Sequence, residues 1–161
     1  MMAIKVSDKL PSIDLQHKID DAVETINSDD LFSGKKVVLF ALPGAFTPTC
    51  SASHLPGYVV HSDQLFDKGV DRIVCLSVND AFVMEAWGKQ HNVDDRVMMI
   101  ADGSAHFTRA IGLEVDLDAA GMGIRSQRYA MIVNDGVVEL LNVEAPRAFE
   151  VSDAETILAS L

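Results

Sequence analysis

Two stretches of this chain, Lys36 to Ala41 (KVVLFA) and Arg72 to Val78 (RIVCLSV), run apolar and β-branched with almost no alternation. A strand buried on one face alternates apolar with polar residues, so unbroken runs of this kind mark strands covered on both faces, at the centre of a sheet. Between them, the segment from Cys50 to Lys68 carries Leu55, Tyr58, Val59, Leu65 and Phe66 at roughly helical spacing, with a kink or break expected near Pro56 and Gly57. Strand, helix and strand read as a βαβ unit, whose crossover is right-handed.

The rest of the chain continues at α/β spacing. Ala81 to His91 places Phe82, Val83, Ala86 and Trp87 for a helix that Asn79 or Asp80 caps, and Arg96 to Ala101 forms the next strand. Ala105 to Gly112 reads as a short helix closed by glycine, and Glu114 to Gln127, with Gly121 and Gly123, as a surface loop. Arg128 to Val133 and Val137 to Val143 flank Asn134-Asp135-Gly136, which tolerate the positive φ of a tight turn and predict an antiparallel hairpin. Ser152-Asp-Ala-Glu155 has the form of a capping box opening a last helix, with Ile157, Leu158 and Leu161 on its apolar side. No repeat or linker interrupts the 161 residues, so a single domain over 1–161 is expected. Its class is α/β, a mixed central sheet with helices on both faces, compatible with a thioredoxin-like fold.

Charge and composition narrow the partners. Lys and Arg number 13 against 24 for Asp and Glu, a formal net charge of -11, and no basic run exists to follow a phosphate backbone. Nucleic acid and anionic membrane surfaces are therefore not expected as partners. The longest apolar runs, Val37 to Pro43 and Val97 to Ala101, fall far short of the roughly 20 residues needed to span a bilayer. The segment MMAIKVSDKLP has neither an apolar signal core nor the Arg-rich character of a transit peptide, and a cytoplasmic location is the expectation. The histidines and cysteines have no metal-ligand spacing and no Gly-rich phosphate loop is present, so neither metal nor nucleotide or flavin cofactor is expected.

Chemistry concentrates at one corner. Pro43-Gly-Ala-Phe-Thr47-Pro48-Thr49-Cys50 leads from the end of a strand into a helix, where Pro48 suits a first turn and Thr47 a cap. Cys50 then lies in that first turn, where unpaired backbone N–H groups and the helix dipole favour a thiolate, the reactive form of the sulfur. The C-x-x-C of dithiol exchangers is replaced by Cys50-Ser-Ala-Ser53, so no local disulfide forms. The reaction begins with one sulfur, either exchanging with disulfides or attacking an electrophile such as a peroxide.

The motif P-x-x-x-T-x-x-C, filled as PGAFTPTC and followed by SASHLPGY, resembles the type II (fifth) branch of the peroxiredoxin family. The resemblance extends through CLSVNDAFVMEAWG and RSQRYAMIVNDG to LNVE, nearly the whole chain. It implies a thioredoxin-like fold and a thiol peroxidase that reduces hydrogen peroxide and organic hydroperoxides in antioxidant defence. By the same resemblance Cys50 is the peroxidatic cysteine and passes through a sulfenic acid. Thr47 hydrogen-bonds the peroxide, Pro43 shields the thiolate from water, and Arg128 holds the thiolate and the charge developing on the oxygens. Arg125 reads as a loop residue. His54, four residues beyond Cys50, faces the same side of a helix, where a Cys-His pair is conceivable and a packing or interface role more in keeping. Cys75, inside an apolar run, reads as a buried structural thiol.

Some relatives place a resolving cysteine in the C-terminal segment, whereas here Ser152 or its neighbour occupies that region. A one-cysteine cycle is expected, with glutathione and glutaredoxin or thioredoxin as reductant. Gly44, Ala45 and Phe46 predict an exposed apolar corner, and the resemblance implies a homodimer packed near it. The competing readings are a monothiol disulfide exchanger and a redox sensor or holdase without turnover.

Overall fold

The computed structural model describes residues 3–161. Nine strands and six α-helices follow in the order β1 (Asp14–Ile19), β2 (Ala22–Asn27), α1 (Ser28–Phe32), β3 (Lys36–Leu42), α2 (Leu55–Val60), α3 (Ser62–Asp67), β4 (Arg72–Ser77), α4 (Ala81–Gln90), β5 (Met98–Ala101), α5 (His106–Ala110), β6 (Glu114–Asp116), β7 (Ile124–Ser126), β8 (Tyr129–Asn134), β9 (Val137–Val143) and α6 (Ala154–Ala159). A π-helical turn, Cys50–His54, precedes α2.

Seven strands form one mixed sheet in the order β2-β1-β5-β4-β3-β8-β9, with β3–β4 and β4–β5 parallel and the other neighbours antiparallel. The unbroken apolar runs are β3 and β4, adjacent at the middle. Successive side chains of a strand point to opposite faces, and β3 divides accordingly. Val38, Phe40 and Leu42 pack with Leu55, Tyr58, Trp87 and Ile157 on one face. Val37, Leu39 and Ala41 pack with Leu31, Phe32 and Phe107 on the other. Both faces are covered, which is why neither strand alternates.

The hairpin β8–β9 turns through Asp135 (φ 50°) and Gly136 (φ 79°), the left-handed pair its sequence demands. Asp80 caps α4, its side chain accepting the Val83 N–H. Three expectations are corrected, and one hairpin goes unread. The segment 114–127 is not all loop, because β6 and β7 pair antiparallel across it; strands of three residues are too short to show a period. The helical crossover breaks at His61, between α2 and α3, and the chain stays helical through Pro56, which follows directly on the π turn. The cap of α6 is Asp153, which accepts from the Thr156 N–H, while the Ser152 hydroxyl donates elsewhere. The hairpin β1–β2 carries no apolar run, since β2 is a largely exposed edge strand.

Candidate active site

Past Leu42 the chain turns sharply through Gly44 to Thr47 before the helical segment begins. Phe46 sits in the left-handed region (φ 66°), strained for a bulky aromatic residue. The turn is held at both ends: the Ala45 N–H donates to Asn79 Oδ1 at 3.0 Å, and the Thr47 N–H and hydroxyl donate to the Gly44 carbonyl at 3.3 and 2.7 Å. The Thr47 side chain thus does not cap the helix as expected, because the tight turn brings the Gly44 carbonyl within its reach. The expected apolar corner is also smaller, for Gly44 and Ala45 are buried and only Phe46 is exposed.

Cys50 is fully buried in the first turn of the helical segment. The Leu55 N–H bonds to its carbonyl, five residues back, so this turn is wider than an α-helical one. Across the site Arg128, the residue before β8, donates from Nη2 to Cys50 Sγ at 3.0 Å and from Nη1 to His54 Nδ1 at 2.8 Å. A guanidinium only donates, so His54 Nδ1 carries the lone pair. The proton is on Nε2, which donates to the Ser152 carbonyl at 3.1 Å. His54 therefore does not pair with the sulfur; it anchors the arginine that does. The i+4 spacing put it near Cys50, but its partner arrives from residues 74 positions away.

Burial first, and then the Arg128 charge, push the His54 pKa down to about 3. The ring stays neutral at physiological pH and serves as an acceptor, not as an acid. An unfolded chain protonates this histidine near its ordinary value, about 6.5, so between there and about 3 the unfolded state binds more protons. Stability contributed this way is complete above pH about 6.5 and is lost as the pH falls, by up to about 1.4 kcal/mol per unit. A thermal melting series from pH 7 to pH 5 should show falling midpoints in the native protein and a shallower fall in His54→Gln.

Arg125, read as a loop residue, lies on β7 and donates from Nη1 to the Pro43 carbonyl at 3.1 Å and from Nε to the Met122 carbonyl at 2.9 Å. A Cβ on Gly44 would lie 2.7 Å from that Nη1, so glycine is what lets the guanidinium approach. No local signal in the sequence identifies this contact. Pro43, half-buried, forms one wall of a groove of about 540 Å³ with Thr49, Val115, Leu117, Arg128 and Pro146. Three of the chain's six arginines, Arg125, Arg128 and Arg147, thus gather around this site on a protein of net charge -11. Cys75 lies mid-strand and fully buried, its thiol pushed well up by burial and then by proximity to Cys50. Trp87 is buried as expected, and its Nε1 donates to the hydroxyl of Ser51 at 2.9 Å.

A central strand leading through a tight turn to a buried cysteine at the start of a helix, with a guanidinium held against the sulfur, has the arrangement of a thiol peroxidase on a thioredoxin-like scaffold. Comparison with known proteins carries this further. The Redoxin family model matches residues 5–158. Peroxiredoxin-2E, chloroplastic, of Arabidopsis thaliana is 49% identical over 99% of this chain and 70% of its own length. Peroxiredoxin sll1621 of Synechocystis is 50% identical over 86% of this chain and 76% of its own length. The crystal structure of reduced Prx3 from Vibrio vulnificus in complex with hydrogen peroxide superposes with a TM-score of 0.94 at 57% identity, covering 98% of each chain. The chain belongs to the peroxiredoxin family, in its type II branch.

Proposed function

We propose that Cys50 is the peroxidatic cysteine of this thiol peroxidase and that Pro43, Thr47 and Arg128 build its peroxide pocket. The observation that carries this reading is the 3.0 Å contact from Arg128 Nη2 to Cys50 Sγ. A thiolate attacks one peroxide oxygen, an S–O bond forms as the O–O bond breaks, and the other oxygen leaves as alkoxide or hydroxide and takes up a proton. Negative charge moves from sulfur toward the departing oxygen. A guanidinium that touches the sulfur and keeps further N–H donors is suited to follow that charge. Thr47 Oγ1, whose proton goes to Gly44, presents a lone pair to the O–H of the bound peroxide. Pro43, which has no N–H, walls the sulfur from water. The largely apolar groove beside them suits the organic part of an alkyl hydroperoxide.

The reductive half of the cycle uses one cysteine. Sulfenic acid at Cys50 condenses with an external thiol, releasing water and leaving a mixed disulfide that a second thiol reduces. Glutathione with glutaredoxin, or thioredoxin, is the proposed source, because Cys75 is enclosed in β4 and Ser152 occupies the segment where a resolving cysteine would lie. Two free cysteines, both buried, suit a reducing compartment, and the proposed location is the cytoplasm.

Stopped-flow mixing of the reduced protein with hydrogen peroxide, with a sulfenic-acid trap and intact-mass analysis, tests this reading. A reaction orders of magnitude faster than that of a free thiol, trapped at Cys50, supports it. Free-thiol rates, or modification at Cys75, favour a monothiol exchanger or a sensor without turnover.

A homodimer is part of the same proposal. Phe46 and Phe82 are 48% and 64% exposed, and the Ala45–Asn79 hydrogen bond ties the active-site turn to the start of α4, where Phe82 stands. Two exposed phenylalanines flanking the strained turn are suited to a self-complementary contact. Phe82→Asp should convert a dimer to a monomer in analytical ultracentrifugation; a wild-type monomer would remove this part of the proposal.

A further inference from the structure

We propose that Glu144 is a positioning residue for the Arg128 guanidinium, acting through the Ser152 carbonyl and the His54 ring. The inference rests on the reading of Arg128 given above. Glu144 follows β9 and is 7% exposed, an unusual place for a carboxylate without a cationic partner among the described residues. Its charge is met entirely by donors from one short segment. The Glu150 N–H reaches Oε1 and Oε2 at 3.0 and 2.9 Å, the Val151 and Ser152 N–H groups reach Oε2 at 2.9 and 2.8 Å, and the Ser152 hydroxyl reaches Oε2 at 2.6 Å. Burial alone would push this carboxyl up, but these hydrogen bonds outweigh it and keep the carboxylate form favoured.

Three consecutive N–H groups converging on one anion fix the backbone of residues 150–152. With the amides turned toward Glu144, the Ser152 carbonyl faces the opposite way and accepts from His54 Nε2 at 3.1 Å and from the Tyr58 hydroxyl at 2.7 Å. That carbonyl decides which nitrogen of His54 carries the proton. An acceptor at Nε2 holds the proton there and leaves the Nδ1 lone pair for Arg128 Nη1, at 2.8 Å. The opposite tautomer would set an N–H against a guanidinium N–H and turn Arg128 away from Cys50. On the backbone, the Glu144 N–H also bonds to the Arg128 carbonyl at 2.9 Å, so the anion and the guanidinium belong to one frame. The C-terminal segment, where some relatives carry a resolving cysteine, has none in this chain, and Ser152 within it supplies the carbonyl and hydroxyl of a clamp.

The imidazole ¹⁵N shifts of His54 in the wild-type protein at pH 7 give the first test. A single Nε2–H tautomer is expected, and an Nδ1–H tautomer would overturn the proposal. Glu144→Gln gives the second, since the amide keeps the size of the side chain but its NH₂ opposes the converging donors. Its second-order rate with hydrogen peroxide should fall about tenfold in the native background and less than about twofold in Arg128→Ala, because groups acting through one another are not additive. His54 in this variant should show mixed tautomers. Equal losses in both backgrounds, or an undisturbed tautomer, would make Glu144 a structural residue only. If Glu144→Gln does not fold, Ser152→Ala removes one donor and leaves the carbonyl. A loss of about twofold or more, absent in Arg128→Ala, supports the proposal, and an equal loss in both backgrounds overturns it. Should the wild-type protein react with peroxide no faster than a free thiol, it is the role of Arg128 that fails, and the tautomer measurement distinguishes that outcome.

Discussion

Cys50→Ser is expected to abolish peroxide turnover, lowering it by about 10⁴-fold or more, the scale of loss when a covalent nucleophile is removed. The serine hydroxyl stays protonated at neutral pH, and its smaller, harder oxygen attacks a peroxide poorly. Oxygen at this position still accepts from Arg128 Nη2, which now bonds sulfur at 3.0 Å, so the arginine stays in place and the loss belongs to the nucleophile. Folding should be little affected. The side chain is buried among Leu42, Leu55 and Phe40 in one face of the core, and exchanging sulfur for oxygen there costs on the order of 1 kcal/mol. A coupled peroxide-consumption assay and a thermal melt on the same preparation check both halves. Residual activity within about tenfold of the native protein, with oxidation of Cys75, would transfer the chemistry to the second cysteine.

The central layer of this fold is legible in the sequence because burial on both faces leaves an unmistakable composition. Lys36–Leu42 and Arg72–Ser77 are continuous apolar runs for that reason, and the β8–β9 turn announces itself through residues that accept positive φ. The elements that escape reading are half-exposed or short. The edge hairpin β1–β2 exposes most of its outer strand, and β6 and β7 have three residues each, too few for a period to emerge.

The site divides in the same way. Cys50 is marked by local chemistry, a proline-bracketed turn entering a helix. The resemblance to peroxiredoxins adds Thr47, Pro43 and Arg128; the structure sets Arg128 against the Cys50 sulfur and lines one groove with Pro43 and Arg128. What holds Arg128 there has no local signature. His54 reads as an i+4 neighbour of the cysteine, yet its hydrogen bonds reach Arg128 and Ser152, 74 and 98 residues away. Arg125 reads as a loop residue until β7 carries it, 82 positions along the chain, to the Pro43 carbonyl. Supporting contacts of this kind are made by tertiary closure, and a sequence read along its length records only their endpoints.

Arg128→Ala is expected to slow the reaction of Cys50 with hydrogen peroxide by about 10²- to 10³-fold, the usual loss when a fixed donor to developing charge is removed. Exchange of Cys50 with a small disulfide should slow far less, by about tenfold at most, because its departing thiolate is soft and spreads charge without needing a hard donor. The separation follows from the two contacts of one guanidinium. Nη1 is committed to His54 at 2.8 Å and holds the group in place, while Nη2 contacts the sulfur, at 3.0 Å, from which charge moves to oxygen in the proposed reaction. Loss of the side chain leaves His54 Nδ1 without a donor, but Arg128 is only partly buried and water can enter in its place, so the fold should survive. Arg128→Lys isolates geometry from charge. A single ammonium cannot bond Nδ1 and the sulfur in the same rigid fork, and this variant should recover only part of the peroxide rate. Stopped-flow rates for both substrates across the three proteins decide the matter. Equal slowing of peroxide and disulfide would mean that Arg128 activates the sulfur for any electrophile, whereas the selective loss predicted here assigns it to the breaking O–O bond.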